Sequence, residues 1–229
     1  MKGFRSILSA ILLSSIATIS YTQVYVGARG GASLTKTMGS GYVQNYTGEL
    51  SHIITANGGI FLKVPIAGGL SFRPEVGFTQ TGAGFTASDA FDLIGVNLPL
   101  SGTIHQKLSY VQAPVLLEYE FGGAERAVAP YIVAGPTVGY LIDAKTVSRA
   151  SFLLFRTKPI KVPIATNVFN RFEVGAAIGA GLNFSVGNSK LFVEGRYNRG
   201  FTRVYDTPVI QVPVYNQAFS LMAGMAISL

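Results

Sequence analysis

Apolar and small or polar residues alternate with a period of two along much of the chain. Between positions 174 and 184 every second residue is apolar, and the residues between them are Gly, Ala or Asn. The same alternation recurs at positions 70–79 and 219–229. A period of two is the pattern of a β-strand that buries one face and exposes the other. The sequence therefore predicts strands, and long ones.

Eight segments carry this alternation. They span residues 23–34, 50–64, 69–80, 104–121, 130–142, 167–186, 190–203 and 215–229. Short and long connections alternate between them, and glycines at 68, 69 and 187 supply turn chemistry for two of the short ones. An even strand number with short turns at one end and long loops at the other is typical of outer-membrane barrels. The pattern predicts an all-β fold, an eight-stranded antiparallel up-and-down transmembrane β-barrel.

Composition distinguishes this barrel from a soluble one. Only 13% of the residues are charged, against about 25% in soluble domains, whereas a soluble barrel of lipocalin type needs Lys and Glu over its outer face. Aromatic residues gather near the predicted strand ends, where they would form two interfacial girdles. These are Tyr119, Phe121, Tyr131 and Phe184 by the short turns, and Phe78, Phe172, Phe201 and Phe219 by the long loops.

The first residues differ from the rest of the chain. Lys2 and Arg5 precede an apolar run at positions 7–19, which is shorter than the roughly 20 residues of a spanning helix. This is the pattern of a secretory signal peptide. We therefore expect a signal peptide at 1–22, a barrel domain at 23–229 and export to the outer membrane.

Charged residues also fall on the face that would line the lumen. An eight-stranded barrel is filled by side chains and leaves no open channel. Six charged residues at similar depth have inward parity: Arg29, Arg73, Glu75, Glu118, Glu194 and Arg196. Because buried charges persist when paired, we predict a structural network of three Arg and three Glu that closes the lumen. The alternative is a proton or ion path.

The predicted third long loop, residues 143–166, is basic. It contains Lys145, Arg149, Arg156, Lys158 and Lys161 against one acidic residue. Such a loop would attract anions: outer-membrane lipid such as lipopolysaccharide, acidic surface polymers, or an envelope protein partner. Nucleic acid is disfavoured by the location, and a merely solvated loop is the alternative. The predicted second loop, 81–103, is apolar, which indicates either strands extended above the membrane or a docking face.

The sequence gives little support for a catalytic, metal or cofactor site. There is no Cys, and there are only two His, His52 and His105. Ser51 is adjacent to His52 and so faces the other way, while Ser109 is four residues, about 13 Å, from His105 along a strand. A general base must lie within about 3 Å of its target. We predict no catalytic residue, no metal site and no cofactor.

Several spaced motifs resemble those of a known family. They lie at residues 110–119 (YVQAPVLLEY), 130–136 (PYIVAGP), 170–175 (NRFEVG), 179–181 (GAG) and 194–198 (EGRYN). Together they resemble the PorT-like outer-membrane β-barrel family, whose members are mostly porin-like and whose namesake assists protein secretion. The resemblance implies a non-enzymatic barrel that displays surface loops or serves as a subunit of an envelope or secretion complex. A porin-like transport protein for small solutes is the alternative.

Overall fold

The computed structural model describes residues 23–38, 52–93, 96–122, 126–152, 155–156, 160–163, 169–204 and 215–229. Within these ranges the chain forms ten β-strands. They are β1 (Tyr25–Met38), β2 (Ile53–Ala67), β3 (Leu70–Leu93), β4 (Val96–Glu120), β5 (Val128–Phe152), β6 (Phe155–Arg156), β7 (Ile160–Pro163), β8 (Phe172–Val186), β9 (Ser189–Gly200) and β10 (Tyr215–Ser228). No helix in these ranges is long and apolar enough to cross a membrane. The predicted signal peptide, residues 1–22, lies outside the described residues.

Eight of the strands close into a ring. Each pairs antiparallel with its neighbours in the order β1, β2, β3, β4, β5, β8, β9, β10, and β10 pairs with β1 to close the sheet. The short strands β6 and β7 pair only with β5. The predicted eight-stranded antiparallel barrel is therefore confirmed.

Register partners around the ring reveal a large stagger. From Gly31 of β1, partners across β2 and β3 lead to Tyr110 of β4. In the other direction, across β10, β9, β8 and β5, they lead to Glu120, ten residues further along β4. Such a stagger tilts the strands, and eight tilted strands enclose an interior that side chains fill.

The two faces of the sheet differ as the alternation predicts. On β8, Val174, Ile178 and Leu182 are exposed, while Glu173 and Ala177, which have the opposite parity, are buried. Lipid is the solvent of the outer face, so apolar side chains can stand there without cost. The lumen receives the small and polar residues.

Aromatic residues occupy both ends of the outer face, with one exception. Tyr119 and Phe121 are exposed near the short turns, and Phe172, Phe201 and Phe219 near the long connections. Tyr131, however, is 1% exposed and lies in the lumen, so its assignment to a girdle was wrong. Its position on β5 alternates with that of outward Ile132, and inside the barrel its hydroxyl finds a buried acceptor.

Two short connections are two-residue turns. Gly68 and Gly69 join β2 to β3 with φ of 53° and 86°, and Gly187 begins the turn between β8 and β9 with φ of 58°. Positive φ at these positions favours glycine and matches the twist of a hairpin. Both turns agree with the prediction from sequence.

Three strands continue well beyond the predicted ends. β3 and β4 remain paired as far as Leu93 and Val96, and β5 continues to Phe152. The predicted loops at 81–103 and 143–166 are therefore wrong as loops, and the alternative of extended strands is confirmed for the second. Crossing a membrane takes about 9–11 residues of a strand, but hairpin hydrogen bonds continue above the bilayer wherever both strands remain extended.

Candidate functional site

The centre of the lumen is organised by Arg73 of β3, which is 1% exposed. Its Nη1 donates hydrogen bonds to Glu118 Oε2 and Glu194 Oε2, both at 2.8 Å. Its Nε lies 2.9 Å from Glu75 Oε1 as an ion pair that lacks hydrogen-bond alignment. One guanidinium thus contacts carboxylates from three strands.

Arg196 and Arg29 also donate hydrogen bonds to the carboxylates of this centre. Arg196 donates through Nη1 and Nη2 to the two oxygens of Glu75 at 2.8 and 2.9 Å, and through Nε to Glu194 at 2.6 Å. Arg29 Nε donates to Glu75 Oε2 at 2.9 Å. The structure therefore brings all six lumen residues expected from sequence into one connected set of ion pairs.

Further charges join this set nearer the short turns. Lys63 Nζ donates to Glu118 and to Glu120, the latter at 2.7 Å, and Lys190 Nζ donates to Glu120 at 2.8 Å. Sequence reasoning missed Lys63, Glu120 and Lys190. The parity count that found the other six would have found them too, because each alternates with outward residues on its strand.

We call this connected set the lumen plug. Its members are Arg29, Lys63, Arg73, Glu75, Glu118, Glu120, Lys190, Glu194 and Arg196. Five of these side chains are basic and four are acidic, and all are buried. Tyr131 donates a further hydrogen bond to Glu194 Oε2 at 2.8 Å. Buried charge is tolerated only with such pairing, so the plug fills the lumen with groups that depend on one another.

Aromatic rings frame the plug. The Arg73 guanidinium carbon lies 4.4 Å from the centre of the Phe61 ring and 5.3 Å from that of Phe192, within cation–π range. Glycine makes room for both rings: a Cβ on Gly27 would stand 2.3 Å from Phe61, and one on Gly224 would stand 2.5 Å from Phe192. The small residues of the inner face are therefore placed where large lumen side chains cross.

The predicted basic loop is largely a sheet. Lys145 and Arg149 lie on β5, Arg156 on β6 and Lys161 on β7, and Lys158 lies outside the described residues. The loop assignment fails because β5 keeps its extended pairing with β4 as far as Phe152.

Register places two basic residues opposite each other on neighbouring strands. Lys145 is the partner of Lys107 on β4, which sequence reasoning did not include, and Lys161 is the partner of Val147. Positions 145 and 147 alternate along β5 and share a face, whereas Ala144 is buried on the other. Lys145 forms an ion pair with Asp143 at 2.6 Å while both side chains stay substantially exposed. We call the cross-strand pair Lys107 and Lys145 the basic face.

The two histidines stand apart from the lumen plug. His52 is exposed and His105 is half-buried. The Ser109 hydroxyl accepts a hydrogen bond from Gln80 Nε2 at 3.4 Å. Within the described ranges no three His, Asp or Glu side chains group as a metal site would require.

Comparison with known proteins gives one family match. The family described as "Outer membrane protein beta-barrel domain" matches residues 20–206 of this chain. No curated protein matches it.

Solved structures resemble the chain at low identity. Neisserial surface protein A (NspA) is 16% identical with a TM-score of 0.43, covering 91% of this chain and 98% of that one. OprG from Pseudomonas aeruginosa is 13% identical with a TM-score of 0.47, covering 91% and 96%. The outer membrane protease OmpT from Escherichia coli is 12% identical with a TM-score of 0.34, covering 90% and 97%. At these values the similarities carry no information on function.

Proposed function

Because this chain belongs to the outer membrane protein beta-barrel domain family, we propose that it is a non-enzymatic outer-membrane barrel of the PorT-like type. In this proposal a closed lumen anchors an extended sheet that contacts an envelope partner, as a subunit of an envelope or secretion complex does. The anchor and the contact surface are separate parts of the molecule.

The observation that carries the proposal is the length of three neighbouring strands. β3, β4 and β5 contain 24, 25 and 25 residues, more than twice what a membrane crossing requires. The paired extension runs from Thr81 and Leu108 to Leu93 and Val96, and β5 continues the sheet to Phe152. A rigid sheet that projects beyond the bilayer supports a role in contact.

The ion pairs across the lumen favour an anchoring role for the barrel over solute transport. The described ion pairs join side chains from β1, β2, β3, β4 and β9 across the interior. A solute path would have to break several buried pairs at once, and removing one partner of such a pair costs about 3–5 kcal/mol. The non-enzymatic assignment is supported by the exposure of His52, which stands apart from the lumen plug.

The proposal includes a second contact, between the basic face and lipid. Lys107 and Lys145 are cross-strand partners, and like charges directly opposite each other destabilise a sheet. Asp143 pairs with Lys145 and balances part of this charge, and an anion that bridges the two lysines relieves the repulsion that remains. Exposed Tyr140, on the same strand as Lys145, lies near the membrane boundary with Phe172, 5.1 Å from it between ring centres. This placement supports phosphate groups of outer-leaflet lipid as the ligand of the basic face.

The partner role is tested by shortening the extension. Phe85 and Ile104 are register partners, so residues 86–103 can be replaced by Asn-Gly, which closes a two-residue hairpin turn. We expect a protein to co-purify with the wild-type barrel in mild detergent and to be lost with the shortened variant. The variant must keep heat-modifiable gel migration, which reports a closed barrel. Purification of wild type as a lone chain, or equal recovery of the partner with both, would contradict the proposal.

A further inference from the structure

A second buried carboxylate lies apart from the plug. Glu173, near the start of β8, stands eight residues before Gly181, the register partner of Glu194. It is 7% exposed, and its Oε1 accepts a hydrogen bond from Asn216 Nδ2 at 3.0 Å. Its Oε2 has no hydrogen-bond partner, and no ion pair involving Glu173 occurs in the described part of the chain. A buried carboxylate without a cation is costly.

Two more buried oxygens near Glu173 are also unpartnered. They are Asn216 Oδ1 and Thr81 Oγ1, from residues that are each 4% exposed. All three residues line one cavity of about 20 Å³, which is large enough for one water-sized particle. We call this cavity, with its polar lining side chains, the Glu173 chamber. The polar residues of the lining are Thr79, Thr81, Gln112, Thr137, Glu173, Asn198, Arg199, Asn216 and Gln217.

Apolar side chains border the chamber on the side of the long connections. A buried apolar cluster stands there, formed by Leu108, Tyr110, Leu141, Ala144, Phe169 and Val204. Tyr110 borders both regions, since its hydroxyl accepts a hydrogen bond from Asn216 Nδ2 at 3.4 Å. The other charged residue of the lining is Arg199, which is exposed on the outward side of β9. Glu173 is therefore shielded from bulk water, and it forms no ion pair with Arg199 or with any other described residue.

We propose that the Glu173 chamber binds one monovalent metal cation through Glu173 Oε2, Asn216 Oδ1 and Thr81 Oγ1. Carboxylate, amide and hydroxyl oxygens are ligands of hard cations. A single carboxylate balances one positive charge, whereas Ca²⁺ takes 6–8 oxygen ligands, commonly from several carboxylates. The cation satisfies three acceptors that otherwise have no donor. It stabilises the barrel near its outer end, a role that is independent of the proposed partner.

The test is the thermal unfolding of the full-length refolded barrel in detergent, followed by gel migration and circular dichroism. Na⁺ or K⁺ is titrated against N-methylglucamine at constant ionic strength and neutral pH, so that general screening does not change. Wild type should show a saturable rise in midpoint with Na⁺ or K⁺, because a ligand that binds only the folded state stabilises it. Glu173→Gln, which keeps the shape and removes the charge, should lose the rise.

Two further variants make the result specific. Thr81→Val removes one ligand oxygen at nearly constant volume and should shift the cation titration to higher concentration. Asp143→Asn removes an exposed carboxylate outside the chamber and should respond as wild type does. Equal wild-type midpoints in Na⁺, K⁺ and N-methylglucamine would overturn the proposal. So would a response to Mg²⁺ or Ca²⁺ alone, or a midpoint that rises only on acidification, since the latter indicates a neutral Glu173.

Discussion

The side chains in the lumen stabilise one another, because most of the carboxylates form ion pairs with more than one basic side chain. Glu75 contacts Arg29, Arg73 and Arg196, and Glu194 contacts Arg73 and Arg196. Neutralising one carboxylate therefore leaves two guanidinium groups short of charge in a space without bulk water. The unfolding free energy falls mainly because the remaining basic side chains stay buried without a counter-charge.

Glu194→Gln tests this dependence. The amide retains the size of the side chain but replaces one acceptor oxygen by an NH2 group. That group faces either Arg196, or Arg73 and Tyr131, and all three are donors themselves. We expect a loss of about 3–5 kcal/mol in unfolding free energy, measured by urea unfolding in detergent. Asp143→Asn, in an exposed ion pair, is the matched control and should change stability by less than about 1 kcal/mol. An unchanged midpoint for Glu194→Gln would mean that the pairing contributes nothing.

Three strands have a different role on each side of the membrane boundary. Within the barrel β3 and β4 supply plug residues and β5 supplies Tyr131, which donates a hydrogen bond to Glu194. Beyond the barrel the same three strands form the projecting sheet. The cross-strand pair Lys107 and Lys145 lies in this upper part. Its like charges make the basic face sensitive to nearby anions.

Lys107→Gln combined with Lys145→Gln tests the lipid contact. We expect weaker retention of the refolded barrel on vesicles that contain lipopolysaccharide, because Coulomb attraction to phosphate is lost. Wild-type retention should fall with added salt as the screening length decreases from about 10 Å at 0.1 M to about 3 Å at 1 M. Lys36→Gln on β1, away from the basic face, is the control.

Three outcomes separate the sources of the effect. Competition by inorganic phosphate at low concentration would indicate a phosphate site rather than a lipid surface. Retention of the double variant equal to that of wild type, at every salt concentration, would leave the basic face without a ligand. Equal losses for Lys36→Gln would mean that net charge alone is responsible.

The closed ring and its filled interior together define how the protein behaves in a membrane. Eight strands enclose a lumen in which Arg73, Arg196 and Tyr131 are among the largest fully buried side chains. The outer face is apolar and the plug crosses the interior. Passage of ions would require this plug to open.

Conductance in planar bilayers tests the closed lumen. We expect the refolded protein to insert without steady channels of large conductance, because the interior is occupied by paired side chains. A general porin reconstituted in the same way verifies that insertion gives measurable current. Steady large-conductance channels from the unmodified protein would contradict the plug and favour the porin-like alternative.

The sequence alone accounts for much of the fold and part of the site. Alternation identified every barrel strand, and parity placed Arg29, Glu118 and Arg196 in the lumen, because which face a side chain takes is a local consequence of strand geometry. The same parity was available for Lys63 and Glu120. Tyr131 was misassigned because an aromatic residue near a strand end suits a girdle as well as a lumen, although its alternation with outward Ile132 places it inside.

The tertiary structure determined which of these residues contact one another. Arg73 and Glu194 are 121 positions apart, and their contact depends on the stagger with which the ring closes, which is a property of all eight strands together. The lengths of β3, β4 and β5 were also undetermined, since alternation near the membrane boundary suits a loop or a paired strand equally. The unpartnered oxygens of Glu173, Asn216 and Thr81 come from three strands. The sequence by itself determined the strands and their two faces, and ring closure determined the plug, the chamber and the extended sheet, because a period of two is local and register is not.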